Sequence, residues 1–156
     1  SILDIGCGFA DFYEYLNKSK IKLSSYTGID INKSFIEICK NKFPNVSFEN
    51  KDMFSLGRKK YDYIFAFGVF SLKFKGINNL KLIKDFVHKS ENNFNKGLVI
   101  NYRSNNQESD KAESYVKTFN SNTLMSLFYD KYSKDISFFK SDTKIPFYEE
   151  TLVIYK

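Results

Sequence analysis

Ser1-Ile2-Leu3-Asp4-Ile5-Gly6-Cys7-Gly8-Phe9-Ala10-Asp11-Phe12 opens the chain and decides how the rest is read. An apolar run ends in an acid, two glycines follow at alternate positions, and an amphipathic helical pattern then begins. This predicts a buried strand, a tight glycine turn and a helix N-terminus. Glycine lets backbone approach a ligand where a Cβ would block it, and the first N–H groups of a helix lack intrahelical partners and face that ligand.

The stretch resembles motif I of the class I S-adenosylmethionine (SAM)-dependent methyltransferases, acid-x-Gly-x-Gly, here Asp4-Ile5-Gly6-Cys7-Gly8. A dinucleotide turn instead reads G-x-G-x-x-G with a pyrophosphate on the helix N-terminus. Asp11 stands where its third glycine would be, and a carboxylate there repels pyrophosphate. Asp4 has no role in that scheme. The resemblance gives it one, beneath the cofactor's methionine part, and places Gly6, Cys7 and Gly8 against the same ligand. Ala10 replaces the third glycine of the motif and is small enough to leave the turn intact.

The chain has 156 residues, the size of one domain, and its 42% hydrophobic content marks a globular class. It opens directly on a buried strand without Met, so an upstream helical segment is expected to be missing from this sequence. Net charge is +6. The lysines are scattered among acids and asparagines, and Arg58 and Arg103 are the only arginines, a pattern that disfavours nucleic acid. Cys7 and Cys39 form no disulfide framework. Free buried thiols suit a reducing, cytoplasmic setting, and no apolar run is long enough to span a membrane.

Helices are expected from about Phe9 to Lys18 (Phe9, Phe12, Tyr13 and Leu16 inward), Lys33 to Phe43 (capped by Asn32, stopped by Pro44), Ile77 to Ser90 and Thr123 to Tyr132. Strands are expected at 1–5, 25–31, 46–50, 61–67, 97–102, about 133–139 and about 147–155, with Pro146 at the last turn. The fourth, Tyr61 to Phe67, is nearly all apolar, as in the middle of a parallel sheet. Alternating strands and helices closed by a hairpin predict a doubly wound, Rossmann-like α/β three-layer sandwich. Its mostly parallel seven-stranded sheet ends in an antiparallel hairpin.

Asp30 ends the second strand, 22 residues after Gly8. It is either a solvated strand-end acid or an acceptor for both ribose hydroxyls of a nucleoside. The resemblance implies further that Asp52 pairs with the adenine amino group, a donor facing an acceptor. Met53 would pack on the ring, with Ile31 and Phe67 completing the cofactor set. The loop after strand four reads Ala66-Phe67-Gly68-Val69 and lacks the Asn/Asp-Pro-Pro-aromatic motif of base amino-methylating enzymes. The Pro-Cys nucleophile of cytosine methylation is absent too.

The implied reaction moves a methyl group from SAM to an oxygen or nitrogen of a small-molecule acceptor by in-line displacement, leaving S-adenosylhomocysteine. An RNA or protein acceptor, or a non-catalytic binding subunit of the same fold, remain alternatives. SAM arrives activated, so the protein mainly aligns the acceptor, and no catalytic constellation stands out. His88 should lie behind the sheet. No cysteine–histidine cluster suggests a metal. Tyr13, Lys73 and Arg103 are candidates for steering a polar acceptor. Arg103 could equally be a solvated loop residue, and the polar stretch from Ser104 to Glu113 is a candidate lid.

Overall fold

The computed structural model describes residues 1–73, 75–104, 115–132, 135–140 and 149–156. Seven strands form one sheet. In chain order they are β1 (Ile2–Ile5), β2 (Tyr26–Asp30), β3 (Ser47–Asn50), β4 (Tyr61–Ala66), β5 (Phe94–Arg103), β6 (Ile136–Lys140) and β7 (Glu149–Tyr155). Four helices accompany them: α1 (Asp11–Lys18), α2 (Lys33–Lys42), α3 (Asn79–Ser90) and α4 (Ser121–Tyr132). The sheet order is β3-β2-β1-β4-β5-β7-β6. The first five strands run parallel, and β7 is antiparallel to both β5 and β6. The order reverses at β1, between β2 and β4. That switch point is where an open α/β sheet leaves a crevice at its carboxyl edge.

The two faces are packed by different helices. Leu3, Ile5, Ile64, Leu98 and Ile100 point to one face, under Ile83, Phe86 and Val87 of α3 and Leu124 and Phe128 of α4. Ile2, Tyr26 and Phe48 point to the other, under Leu16 of α1 and Ile36 and Cys39 of α2. β1 is therefore buried along its whole length.

β4 departs from the sequence expectation. Ile64 and Ala66 are fully buried, whereas Tyr63 is 37% exposed and Phe65 half-buried. On that side α1 reaches only as far as a ring contact between Phe12 and Phe65, centroids 4.8 Å apart. An apolar string thus marks a strand covered fully on one face and partly on the other. The notional lid from 105 to 113, the turn at Pro146 and the first residues of the expected sixth strand, 133–134, lie outside the described residues.

The first helix starts at Asp11 rather than Phe9 because the preceding turn is not helical. Gly6, Gly8 and Ala10 all adopt left-handed backbone, with φ of 65°, 53° and 64°. Ala10 is the N-cap of α1 and is fully buried. The turn is pinned by Cys7 N–H to Ile29 O (3.0 Å) and Ala10 N–H to Cys7 O (2.8 Å). Asn32 caps α2 as expected, its Oδ1 accepting from Ser34 N–H at 3.0 Å.

Ala10 combines a left-handed φ with zero exposure, so its substitutions separate strain from size. Ala10→Val brings a β-branched side chain into both constraints and is expected to cost more than about 2 kcal/mol in denaturant unfolding. Ala10→Gly should stay within about 1 kcal/mol, relief of strain offsetting the lost methyl and the freer unfolded chain.

Candidate active site

The carboxyl ends of β1, β2, β3 and β4 border two adjoining cavities. The larger, about 510 Å³, is lined by Asp30 and Ile31 after β2, Asp52 and Met53 after β3, and Phe67 to Val69 after β4. The smaller, about 470 Å³, is lined by Asp4, Cys7, Asp11 and Phe12. Gly6, Gly8, Phe35 and Phe67 belong to both. All nine residues expected at the cofactor thus border one continuous crevice.

Gly6 shows why the turn must be bare. A Cβ there would come within 2.7 Å of Val69 Cγ2, and its φ is left-handed, so a side chain would be strained and would have to displace the Val69 side chain at the cavity wall.

Asp30 is more than a strand-end acid. One carboxylate oxygen accepts Gly8 N–H at 3.1 Å and the other accepts Asn32 N–H at 2.8 Å. It ties the glycine turn to the start of α2 while still bordering the cavity. A carboxylate offers about four lone-pair sites, so acceptor capacity remains for a ligand. Asp52 has a similar local bond, Oδ1 accepting Phe54 N–H at 2.7 Å. Lys51 also lines the cavity, with its Nζ 3.3 Å from Glu49.

Asp4 is 3% exposed. Burial pushes its carboxyl up to about 7, partly opposed by a hydrogen bond donated by the Tyr26 hydroxyl, with the nearby Asp30 charge raising it further. Burial also pushes the Cys7 thiol up, so it stays protonated at neutral pH and is no nucleophile. Cys39 donates from behind the turn to Gly8 O at 3.2 Å. Both cysteines are free and buried.

Of the three residues expected to steer an acceptor, none lines either cavity. Tyr13 is a correction. It packs between Tyr26 and Phe43, with centroids 4.8 and 4.9 Å away, on the far side of α1 from the crevice. Adjacent helical residues point about 100° apart, so Phe12 reaches the cavity and its neighbour does not. Lys73 lines a separate groove with Asn78 and Lys117 beside the start of α3, one residue past Leu72, which lines the larger cavity. Arg103 is no solvated loop residue: it is 6% exposed at the end of β5, and its carbonyl accepts Phe119 N–H at 2.9 Å. His88 is exposed near Glu91, at 3.9 Å.

Phe9 and Phe35 are the residues whose role the sequence understates. Helical spacing puts both on buried faces. Instead their rings meet at 4.5 Å over the crevice, with Phe9 45% exposed. Ala10 caps α1 in a left-handed conformation, so Phe9 lies ahead of the first helical residue and turns outward, and an alanine gives no sequence signal of that. Among the described residues no group of three or more His, Cys, Asp or Glu stands together as a metal site, and no helix is long and apolar enough to cross a membrane.

Strand order, reversed last strand and glycine turn together define the class I methyltransferase fold. Residues 2–88, more than half of the chain, match a family model described as a methyltransferase domain. The chain belongs to the class I SAM-dependent methyltransferase family. A curated protein of Invertebrate iridescent virus 6, named as a methyltransferase, is 37% identical over 68 residues. That match spans 43% of this chain and a quarter of the viral protein.

Among solved structures, magnesium protoporphyrin IX methyltransferase of Synechocystis PCC 6803 with bound SAM superposes with a TM-score of 0.71 at 14% identity. The match covers 99% of this chain and 69% of that one. TehB of Haemophilus influenzae gives 0.69 at 17%, covering 99% and 57%. The [4+2]-cyclase SpnF gives 0.73 at 12%, covering 99% and 73%. At such identities the likeness is one of fold.

Burial of Asp4 has a measurable consequence. Its native carboxyl holds a proton more tightly than the unfolded one, whose ordinary value is 3.8. Between about 4 and 7 the native state carries a proton the unfolded state lacks. This group's contribution is therefore greatest below the unfolded value and is lost as pH rises towards 7. Each unit of the gap is worth about 1.4 kcal/mol. Asp4→Asn should gain stability relative to wild type on going from pH 4 to pH 8, read by urea unfolding at both.

Proposed function

We propose that this chain binds SAM in the crevice and transfers its methyl group to an oxygen or nitrogen of a small-molecule acceptor. One observation carries the reading. Three carboxylates, Asp4, Asp30 and Asp52, border one continuous cavity with a bare glycine turn. The chain as a whole carries a net charge of +6. Carboxylates around one cavity turn away phosphates and favour a cationic, hydroxylated ligand.

SAM supplies a methyl on a positive sulfur; as the acceptor's lone pair bonds that carbon, the S–CH3 pair leaves to give the neutral thioether of S-adenosylhomocysteine. The residues present fit such a group. Asp30 would take the ribose hydroxyls, Asp52 the adenine amine and Met53 the ring face. Asp4 would face the methionine end across the Gly6–Gly8 turn. The cavities are of ordinary small-ligand size. Phe9, Phe12, Phe35 and Phe67 rim them and exclude water from the transfer. The chain's own role is alignment and desolvation. A small acceptor fits this aromatic rim better than a polyanion, which would meet Asp11 and Asp30. Buried free thiols at Cys7 and Cys39 accord with a reducing compartment.

Calorimetric titration tests the cofactor. SAM and S-adenosylhomocysteine should bind and NAD should not, and Asp30→Ala should weaken SAM at least tenfold through lost charged hydrogen bonds. Asp30→Asn keeps one carbonyl oxygen for the backbone and controls for collapse of the turn. If NAD binds and SAM does not, the reading is wrong. Turnover with methyl-labelled SAM over a panel of small phenols, amines and carboxylates then tests the acceptor. Label transferred only to RNA, with affinity falling steeply in salt, would replace the small molecule by a nucleic acid.

A further inference from the structure

Resting on the SAM reading above, we propose that Tyr26 is a positioning residue for the cofactor: its buried hydroxyl holds Asp4 with one oxygen turned to the cavity, ready for the cationic methionine end. Nothing in the motif requires a tyrosine at the start of β2. The argument is geometric. Ile2 pairs with Tyr26 and Asp4 with Gly28 in the parallel ladder, so all four lie on the same face. Tyr26 reaches diagonally to Asp4 across Gly28, which offers no side chain to block it. A Cβ at Gly28 would already stand 2.7 Å from the Phe48 ring.

The phenol cannot easily turn elsewhere. Its ring is 6% exposed and sits against Tyr13 at 4.8 Å and Phe48 at 6.1 Å. It donates to Asp4 Oδ2. The other oxygen, Oδ1, has no hydrogen-bond partner among the described residues, and Asp4 lines the smaller cavity. Oδ1 is not one of the fully buried polar atoms left without a partner; it is reached from the cavity, where a cation can pair with it. A cation arriving from the cavity is the partner it lacks.

Titratable groups around Asp4 are Tyr26 and Asp30 from β2, Cys7 in the turn, Cys39 from α2 and Asp11 at the cavity rim. Among the described residues no lysine or arginine lines that cavity. Within this set the Tyr26 hydroxyl is the group that favours the charged acid, since burial and Asp30 oppose it. Removing the hydroxyl should leave more of Asp4 protonated at neutral pH and weaken cation binding there. Raising the pH should narrow the gap between variant and wild type, because Asp4 then ionises unaided, while the ligand's own α-ammonium loses charge in both proteins alike.

The test is calorimetric affinity for SAM and S-adenosylhomocysteine between pH 6 and 9 in wild type and Tyr26→Phe, paired with the carboxyl titration of Asp4 by carbon NMR in the ligand-free proteins. Tyr26→Phe should bind SAM several-fold to tenfold more weakly at pH 6.5, converge with wild type within about twofold at pH 9, and show a higher Asp4 midpoint. On an Asp4→Asn background the tyrosine substitution should make no pH-dependent difference. Parallel affinity curves, displaced equally at every pH, would make Tyr26 merely structural and overturn the proposal. So would an unmoved Asp4 midpoint. If wild type binds neither sulfur ligand while the midpoint still moves, the SAM reading fails and the positioning role fails with it, leaving only the Tyr26–Asp4 coupling.

Discussion

Asp30 grips the amide of Gly8 with one carboxylate oxygen and that of Asn32 with the other. The rest of the crevice depends on that double hold. A turn with left-handed residues at three alternate positions has no regular hydrogen-bonding pattern of its own. It keeps its shape because neighbouring elements satisfy it: Ile29 O takes Cys7 N–H, Cys39 reaches Gly8 O, and Asp30 takes Gly8 N–H. The acid that borders the crevice is thus the acid that shapes it.

Much of this was legible in the sequence, for identifiable reasons. Asp4-Ile5-Gly6-Cys7-Gly8 announces a strand, a turn and a helix because the apolar run, the acid and the glycines each have one comfortable place. Asn32 and Pro44 bracket α2 because capping and ring closure act locally. Asp30 was visible as a strand-end acid. Its grip on two amides was not, since those bonds link residues that only the fold brings together. Tyr13, Phe9 and Arg103 were misplaced for three separate reasons, each set by the fold and not by local spacing. Their setting depends on the rotational phase of α1, on a left-handed Ala10, and on the burial of the end of β5. Periodicity in a single sequence reports a helix's face but not where its phase begins.

The division of labour within the sheet follows chemistry. On β1 and β2 helices press from both faces, and the acids Asp4 and Asp30 rise from that rigid platform. Ligand-facing groups on strand ends are held more firmly than any loop could hold them. Lys73 and Arg103 stand elsewhere, in the loop after β4 and at the end of β5.

That uneven covering of β4 has a dynamic counterpart. Local opening of a native protein follows the apolar contacts that must be broken. Amides of β1 and β2, sealed on both sides, belong to the slowest-exchanging unit of the molecule. Those of β6, half-buried or exposed along their length at the sheet edge, open far more readily, with β4 and β5 between the two. The molecule therefore loosens from both edges inwards, β6 on one side and the short, partly exposed β3 on the other, and the β1 and β2 wall of the crevice yields last.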